Sequence, residues 1–101
     1  MTDDQASRVE VVVRGQVQGV GFRMFAGASA RSRGLVGWVA NEHDGSVRAV
    51  AEGPRAALEA WVAELAAGSP GAIVDGVEHS WSTARGGLDR FAIRSGWHGG
   101  D

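Results

Sequence analysis

The sequence RVEVVVRGQVQGVGFR (residues 8–23) leads from a strand pattern through a glycine-rich loop into the start of a helix. Valine at every second position from 9 to 13 predicts a strand over residues 8–14 with one buried face. The loop that follows contains three glycines, and glycine lets backbone N–H groups approach a ligand closely. A helix that begins near Phe22 would add its positive dipole end and the planar guanidinium of Arg23. Together these features predict a phosphate-binding loop.

The same loop also has a plainer interpretation. Glycine-rich turns between strands and helices often bind nothing, and short glycine motifs are frequent false positives. No Gly-Lys-Ser/Thr follows the glycines, so this is not a Walker loop, and the dinucleotide pattern Gly-x-Gly-x-x-Gly is absent. These residues alone therefore leave an anion site and a simple tight turn both open.

Length and composition indicate one ordinary globular domain. The chain has 101 residues, 44% of them hydrophobic, a net charge of -2 and no cysteine. One core of this size is expected to form a single domain over residues 8–95, with flexible ends at 1–7 and 96–101. The lack of cysteine excludes disulfides and thiol catalysis, and the slightly acidic charge disfavours broad attraction to nucleic acid. With no membrane-length apolar run and no basic leader, the predicted location is the cytoplasm.

The rest of the chain supplies the other elements of a small α+β fold. The predicted elements are a helix over 22–33 closed by Gly34, strands over 35–41 and 46–52 joined by a turn at Asp44-Gly45, a helix over 55–67, a strand within 72–83 and a short last strand over 90–94. This order predicts a ferredoxin-like βαββαβ sandwich, in which a mostly antiparallel sheet carries two helices on one face. The expected strand order is 4-1-3-2, with the short C-terminal strand added to it.

Two stretches together resemble the acylphosphatase family. They are GQVQGVGFR (residues 15–23) and GWVAN (residues 37–41), the second followed by Gly45, Val47 and Gly53 at the family's spacing. The resemblance covers the strand and helix order from about residue 8 to residue 94. It implies a hydrolase that cleaves the carboxyl–phosphate bond of acyl phosphates to a carboxylate and inorganic phosphate, without a metal or another cofactor.

The resemblance also implies a set of site residues. Arg23 corresponds to the arginine that binds the phosphate, and Asn41 to the asparagine that positions the attacking water. The loop amides expected to hold the remaining phosphate oxygens are those of Gln18, Gly19, Val20, Gly21 and Phe22. Inorganic phosphate, as the product, is expected to inhibit competitively, and the enzyme is expected to be a monomer that binds neither nucleic acid nor membrane.

Several of these residues have plainer roles to set beside the catalytic ones. Asn41 could cap the adjacent turn, and Arg23 could pair with a surface carboxylate. Three adjacent side chains on one turn rarely form a metal site, so none is assigned around His43. The remaining aromatic residues are predicted to lie in the core, on the sheet or at the surface: Trp38, Trp61 and Trp81 in the core or on a sheet face, Trp97 in the tail, and His79 and His98 at the surface with no evident partner.

Two other functions use the same fold. One is a non-catalytic regulatory or docking module, although the presence of both Arg23 and Asn41 favours an active enzyme. The other is RNA binding, but RNA-recognition domains stack bases on aromatic residues of the central strands, where this chain has valine and alanine.

Two residues depart from those common in the acylphosphatase family: Arg33 near the end of the first helix and Ser95 after the last strand. Neither belongs to the two motifs, so these departures bear on stability more than on activity.

Overall fold

The computed structural model describes residues 6–95, which form five strands and two helices. The elements are β1 (Ser7–Gln16), α1 (Phe22–Ser32), β2 (Val36–Asn41), β3 (Val47–Gly53), α2 (Arg55–Ala67), β4 (Ile73–Thr83) and β5 (Phe91–Ile93). The flexible ends predicted for residues 1–7 and 96–101 fall outside the described residues except at Ala6 and Ser7, and Ser7 already belongs to β1. Trp97 and His98 also lie outside them. Neither helix in the described part is long and apolar enough to cross a membrane.

The sheet has the order β4-β1-β3-β2-β5. β1 pairs antiparallel with both β3 and β4, β2 pairs antiparallel with β3, and β5 pairs parallel with β2. This confirms the ferredoxin-like fold and the predicted strand order, with the short C-terminal strand added beside β2. Since β1 lies between β4 and β3, the loop that follows it leaves the sheet at the end of an inner strand and not beside an edge strand.

The core forms between the sheet and the two helices because each element buries one face. Val9, Val11 and Val13 of β1 are at most 1% exposed, and burying each valine side chain contributes about 1.5–3 kcal/mol. On α2, Trp61 is completely buried, and its indole Nε1 donates a hydrogen bond to the Ala26 carbonyl of α1 at 3.0 Å. The two helices are therefore fixed to each other as well as to the sheet.

β1 is longer than the sequence predicts, and this changes the assignment of Gly15. The strand continues through Gly15 to Gln16 with a bulge between Arg14 and Gly15. A Cβ at Gly15 would lie 2.1 Å from the carbonyl oxygen of Ile73, so glycine is required here by the close approach of β4. Gly15 is thus a strand residue, and the loop proper comprises residues 17–21.

β4 is an edge strand, and two of its residues differ from expectation. Ile73, one of its predicted apolar members, is 56% exposed. His79 does lie at the surface, but the prediction that it has no partner is wrong, because Trp81 Nε1 donates to His79 Nδ1 at 3.0 Å. The guanidinium of Arg55 lies 3.7 Å from the centroid of the Trp81 ring and covers it.

Trp38 and Arg33, both singled out in the sequence, also have defined surroundings. Trp38 is half-buried and alternates with the buried Val39, so it lies on the sheet face away from the helices, 4.2 Å from the guanidinium of Arg94. Arg33, the departure at the end of α1, pairs with Glu64 of α2 at 3.2 Å. Arg33 therefore links the two helices.

Candidate active site

The loop between β1 and α1 owes its shape to two glycines. Gly19 has φ 75° and Gly21 has φ 81°, in the left-handed region that L side chains rarely adopt. A Cβ built at either position meets nothing within 4 Å. The loop therefore needs glycine for its backbone conformation, since space is not limiting. Gly21 is also the N-cap residue of α1.

The amides of this loop remain available as donors. Among residues 6–95, no group accepts a hydrogen bond from the amides of Gly19, Val20, Gly21 or Phe22, and the first backbone bond of α1 runs from Phe25 to Gly21 at 3.0 Å. No side chain of residues 6–95 caps the helix, and its first turn contains no acidic residue. Within this described part the positive end of the helix dipole has no acidic neighbour in the helix, which favours an anion at this position.

A pocket of about 200 Å³ opens at this helix end. Its lining residues are Val17, Gly19, Gly21, Phe22, Arg23, Met24 and Asn41. Pockets for drug-sized ligands are larger, at about 300–1,000 Å³. The volume therefore suits a small anion with a group projecting outward.

The pocket brings together the residues of the two sequence motifs. Arg23 and Asn41 both line it, together with Gly19, Gly21 and Phe22 of the predicted phosphate-binding set. Gln18 and Val20, which belong to the same predicted set, do not line it. Met24 also lines the pocket, with 65% of its surface exposed, and no pattern in the sequence singles it out.

Arg23 is held from an element far away in the sequence. Its Nη1 donates a hydrogen bond to the backbone carbonyl of Arg94, the residue after β5. A guanidinium has five N–H donors in one plane, and the bond to this carbonyl orients that plane. The short last strand thus has a role at the site, because its end fixes the direction of the arginine.

Asn41 is the last residue of β2 and is only 7% exposed. Asn41 pairs with Val47 at the start of β3, so the hairpin holds it at the end of the sheet from which the glycine-rich loop leaves β1.

In the turn between β2 and β3, Oδ1 of Asp44 accepts hydrogen bonds from the Ser46 amide at 2.9 Å and the Ser46 hydroxyl at 2.6 Å. The Ser46 hydroxyl and amide, together with Arg14, lower the pKa of Asp44 to about 2. The carboxylate that shapes this turn is therefore ionised at neutral pH.

A buried carboxylate fixes the connection that leads to β5. Glu52 of β3 accepts hydrogen bonds from the Arg8 guanidinium at 2.9 Å and from the amides of Arg85 and Gly86 at 2.9 and 3.1 Å. Burial opposes its ionisation, but the Arg85 amide, the Arg8 guanidinium and the Gly86 amide outweigh that effect and lower the pKa of Glu52. The segment between β4 and β5 is thereby held against the centre of the sheet.

No described group of three His, Cys, Asp or Glu side chains within residues 6–95 is arranged to hold a metal ion. The positive charge that the described pocket offers to an anion comes from Arg23 and from the helix N-terminus.

Comparison with known proteins connects this geometry to one family. The family model described as Acylphosphatase matches residues 9–93. An acylphosphatase from Syntrophotalea carbinolica is 48% identical over 87 residues, which are 86% of this chain and 95% of that protein.

Solved structures give the same result. The crystal structure of acylphosphatase from Bacillus subtilis superposes with a TM-score of 0.84 at 41% identity, covering 87% of this chain and 98% of that one. The structure of T. kodakarensis HypF, at 31% identity and a TM-score of 0.75, covers 88% of this chain but only 12% of its own. The fold therefore occurs both as a whole protein and as a small part of a longer one. With the family model matched over nearly the entire described domain, this chain belongs to the acylphosphatase family, the enzymes that hydrolyse the carboxyl–phosphate bond of acyl phosphates.

Proposed function

We propose that this acylphosphatase holds the phosphoryl group of its substrate with Arg23 and the loop amides of residues 18–22, and that Asn41 orients the attacking water. The observation that supports this division of roles is that Arg23, Asn41 and the loop glycines line one pocket together at the N-terminus of α1.

The phosphoryl group is expected to enter with its oxygens against the loop. The amides of residues 19–22 have no acceptor among the described residues, and the α1 dipole favours negative charge there. The planar Arg23 fork matches two phosphate oxygens in a way that a point charge does not. Each hydrogen bond to a charged group contributes about 1.5–3 kcal/mol, so a few such bonds account for binding of the phosphoryl group.

The chemical step needs little beyond positioning and charge stabilisation. The water oxygen forms a bond to phosphorus while the bond from phosphorus to the acyl oxygen breaks, and the electron pair leaves with the carboxylate. Because a carboxylate is a good leaving group, no acid is required to protonate it. The loose transition state spreads charge over the equatorial oxygens, where Arg23 and the loop amides stabilise it. We assign no step to a metal ion, since these groups supply the positive charge.

Asn41 acts on the nucleophile. Its carboxamide is neutral at every working pH, so it orients water through hydrogen bonds and does not remove the proton. One water proton passes to an oxygen of the phosphoryl group and the other stays on the attacking oxygen, which yields dihydrogen phosphate. Its near-complete burial at the end of β2 provides the fixed position that such alignment needs.

Phosphate release from acetyl phosphate in the presence of a chelator tests the proposal, with the enzyme-free rate as the control. We expect turnover that the chelator does not change and competitive inhibition by inorganic phosphate. Turnover that the chelator abolishes and added divalent metal restores would contradict the assignment of charge to Arg23 and the amides. No turnover with intact phosphate binding would instead indicate a non-catalytic binding module.

A further inference from the structure

The side chain of Gln18 leaves the phosphate loop and reaches the turn between β2 and β3. Its Nε2 donates two hydrogen bonds, to the carbonyl oxygen of Glu42 at 2.8 Å and to that of Ser46 at 2.9 Å. Both bonds are partly buried. The carboxamide therefore uses both of its N–H groups on the hairpin, and Gln18 does not line the pocket with Arg23.

The two carbonyls that accept these bonds are the ends of the turn. The Glu42 amide donates to Ser46 O at 2.9 Å, and the Gly45 amide donates to Glu42 O at 3.2 Å. Asn41 directly precedes Glu42, and its pairing partner Val47 directly follows Ser46. Gln18 is thus attached within one residue of Asn41 on one strand and within one residue of its partner on the other.

The turn that receives these bonds is held by further hydrogen bonds. Asp44 fixes Ser46 through two hydrogen bonds, and Arg14 of β1 contacts Asp44 at 3.2 Å and Glu78 of β4 at 3.0 Å. We therefore expect a displacement of the loop to move the hairpin as well, because Gln18 joins the two and the turn is held by its own hydrogen bonds.

We propose that Gln18 is a positioning residue that fixes the distance between the phosphate loop and Asn41. This rests on the proposed function, since it matters only if the loop holds the phosphoryl group and Asn41 the water. The loop and the hairpin are separate segments of the chain, and catalysis requires that the two reacting atoms, one held by each, line up. A misplacement of about 1 Å costs about 100-fold in rate. Loss of the two Gln18 hydrogen bonds to the hairpin therefore lowers kcat. The anion site is retained, because it is built within the loop and α1.

The sharpest test is Gln18→Glu, which keeps the length of the side chain and replaces the donor group with an oxygen. At pH 7 the carboxylate would face two carbonyl oxygens with no proton to offer, and we expect kcat for acetyl phosphate to fall about 10- to 100-fold. The inhibition constant of inorganic phosphate should change less than about threefold, because the anion is held by backbone amides and Arg23, whereas the Gln18 side chain faces the hairpin and does not line the pocket. When protonated, the same carboxyl group donates one hydrogen bond, so the ratio of variant to parent kcat should rise as the pH falls from 7 to 5.

Other ionisable groups near the turn are common to parent and variant: Glu42, His43 and Asp44 on the turn itself, Arg14 beside it and Arg23 at the pocket. Taking the ratio of the two rates at each pH removes their contribution. Gln16→Glu makes the same chemical change at an exposed residue two positions away, at the end of β1, and should show neither the loss nor the recovery.

Gln18→Met supplies a side chain of similar size without a donor, and it should lose kcat with no recovery at low pH. It also provides the test if the glutamate variant does not fold. Parental kcat in Gln18→Met, or equal losses of kcat and phosphate affinity in either variant, would overturn the positioning role. These outcomes differ from a failure of the proposed function, in which the parent enzyme or the Arg23 and Asn41 variants would behave contrary to expectation.

Discussion

Replacing Glu52 with glutamine tests how the end of the sheet opposite the pocket is held together, where Glu52 of β3 pairs with Arg8 of β1. The glutamate side chain is 5% exposed and accepts bonds from the Arg8 guanidinium and from the amides of Arg85 and Gly86. Glutamine keeps the shape but turns one acceptor into an N–H donor that faces other donors. Removing one partner of a buried ion pair costs about 3–5 kcal/mol, and we expect the lower end, about 3 kcal/mol, because Arg8 keeps a second carboxylate, Glu10, at 3.8 Å.

The dependence on pH has a defined sign. The pKa of Glu52 is lower in the folded than in the unfolded protein, so its contribution is fully present above the unfolded value of about 4.5 and is lost as the pH falls through the lower folded pKa. The stability difference between parent and Glu52→Gln should therefore be largest at neutral pH and should shrink in acid.

Urea denaturation at a series of pH values measures this difference. Glu59→Gln is a matched control, because Glu59 pairs with Arg55 at 3.0 Å on the surface of α2 and is 58% exposed in its side chain. Such a pair contributes about 0.3–0.5 kcal/mol, so the control should be nearly neutral. A Glu52→Gln variant within about 1 kcal/mol of the parent at pH 7, or a difference that does not diminish in acid, would refute the reasoning.

Three further predictions concern the pocket. Arg23→Lys keeps the charge and loses the planar fork, so kcat/KM for acetyl phosphate should fall about 100-fold or more, and near-parental activity would contradict a two-pronged contact. Asn41→Ala should lower kcat about 100-fold with little change in the phosphate inhibition constant, and equal losses in both would place Asn41 in the anion site instead. Gly19→Ala adds a Cβ at φ 75° without a steric clash, so urea denaturation should show a loss of about 1–2 kcal/mol together with weaker phosphate inhibition. Unchanged values in both assays would show that the loop does not need this conformation.

The elements that follow from local pattern could be predicted from the sequence. Leu58, Trp61 and Leu65 recur at helical spacing, and α2 has the bounds that this spacing indicates. The alternation of valines predicts β1, although the strand extends further at both ends, from Ser7 to Gln16. For this strand and for α2 the physical cause lies within a few residues of its effect. The presence of Arg23 and Asn41 at one pocket was instead expected from the resemblance to the acylphosphatase family.

The contacts that complete the site could not be predicted, because they join residues far apart in the chain. Arg23 meets the Arg94 carbonyl across 71 positions, and Glu52 meets the Arg85 amide across 33. Neither pairing leaves a local pattern, since a backbone carbonyl or amide has no sequence signature. The role of the Gln18 side chain has no local signature either, because a glutamine in a glycine-rich loop can face an anion or bind a neighbouring turn. Only the folded geometry, with bonds of 2.8 and 2.9 Å to the hairpin, distinguishes these roles.

A crystal structure of the enzyme with inorganic phosphate bound would examine the phosphate loop itself. We expect the anion at the N-terminus of α1, with oxygens about 3 Å from the amides of residues 19–22 and from the Arg23 guanidinium, and with the Asn41 carboxamide close enough to hold a water against phosphorus. Phosphate bound elsewhere, or a loop whose amides turn away from the anion, would contradict the proposed mechanism.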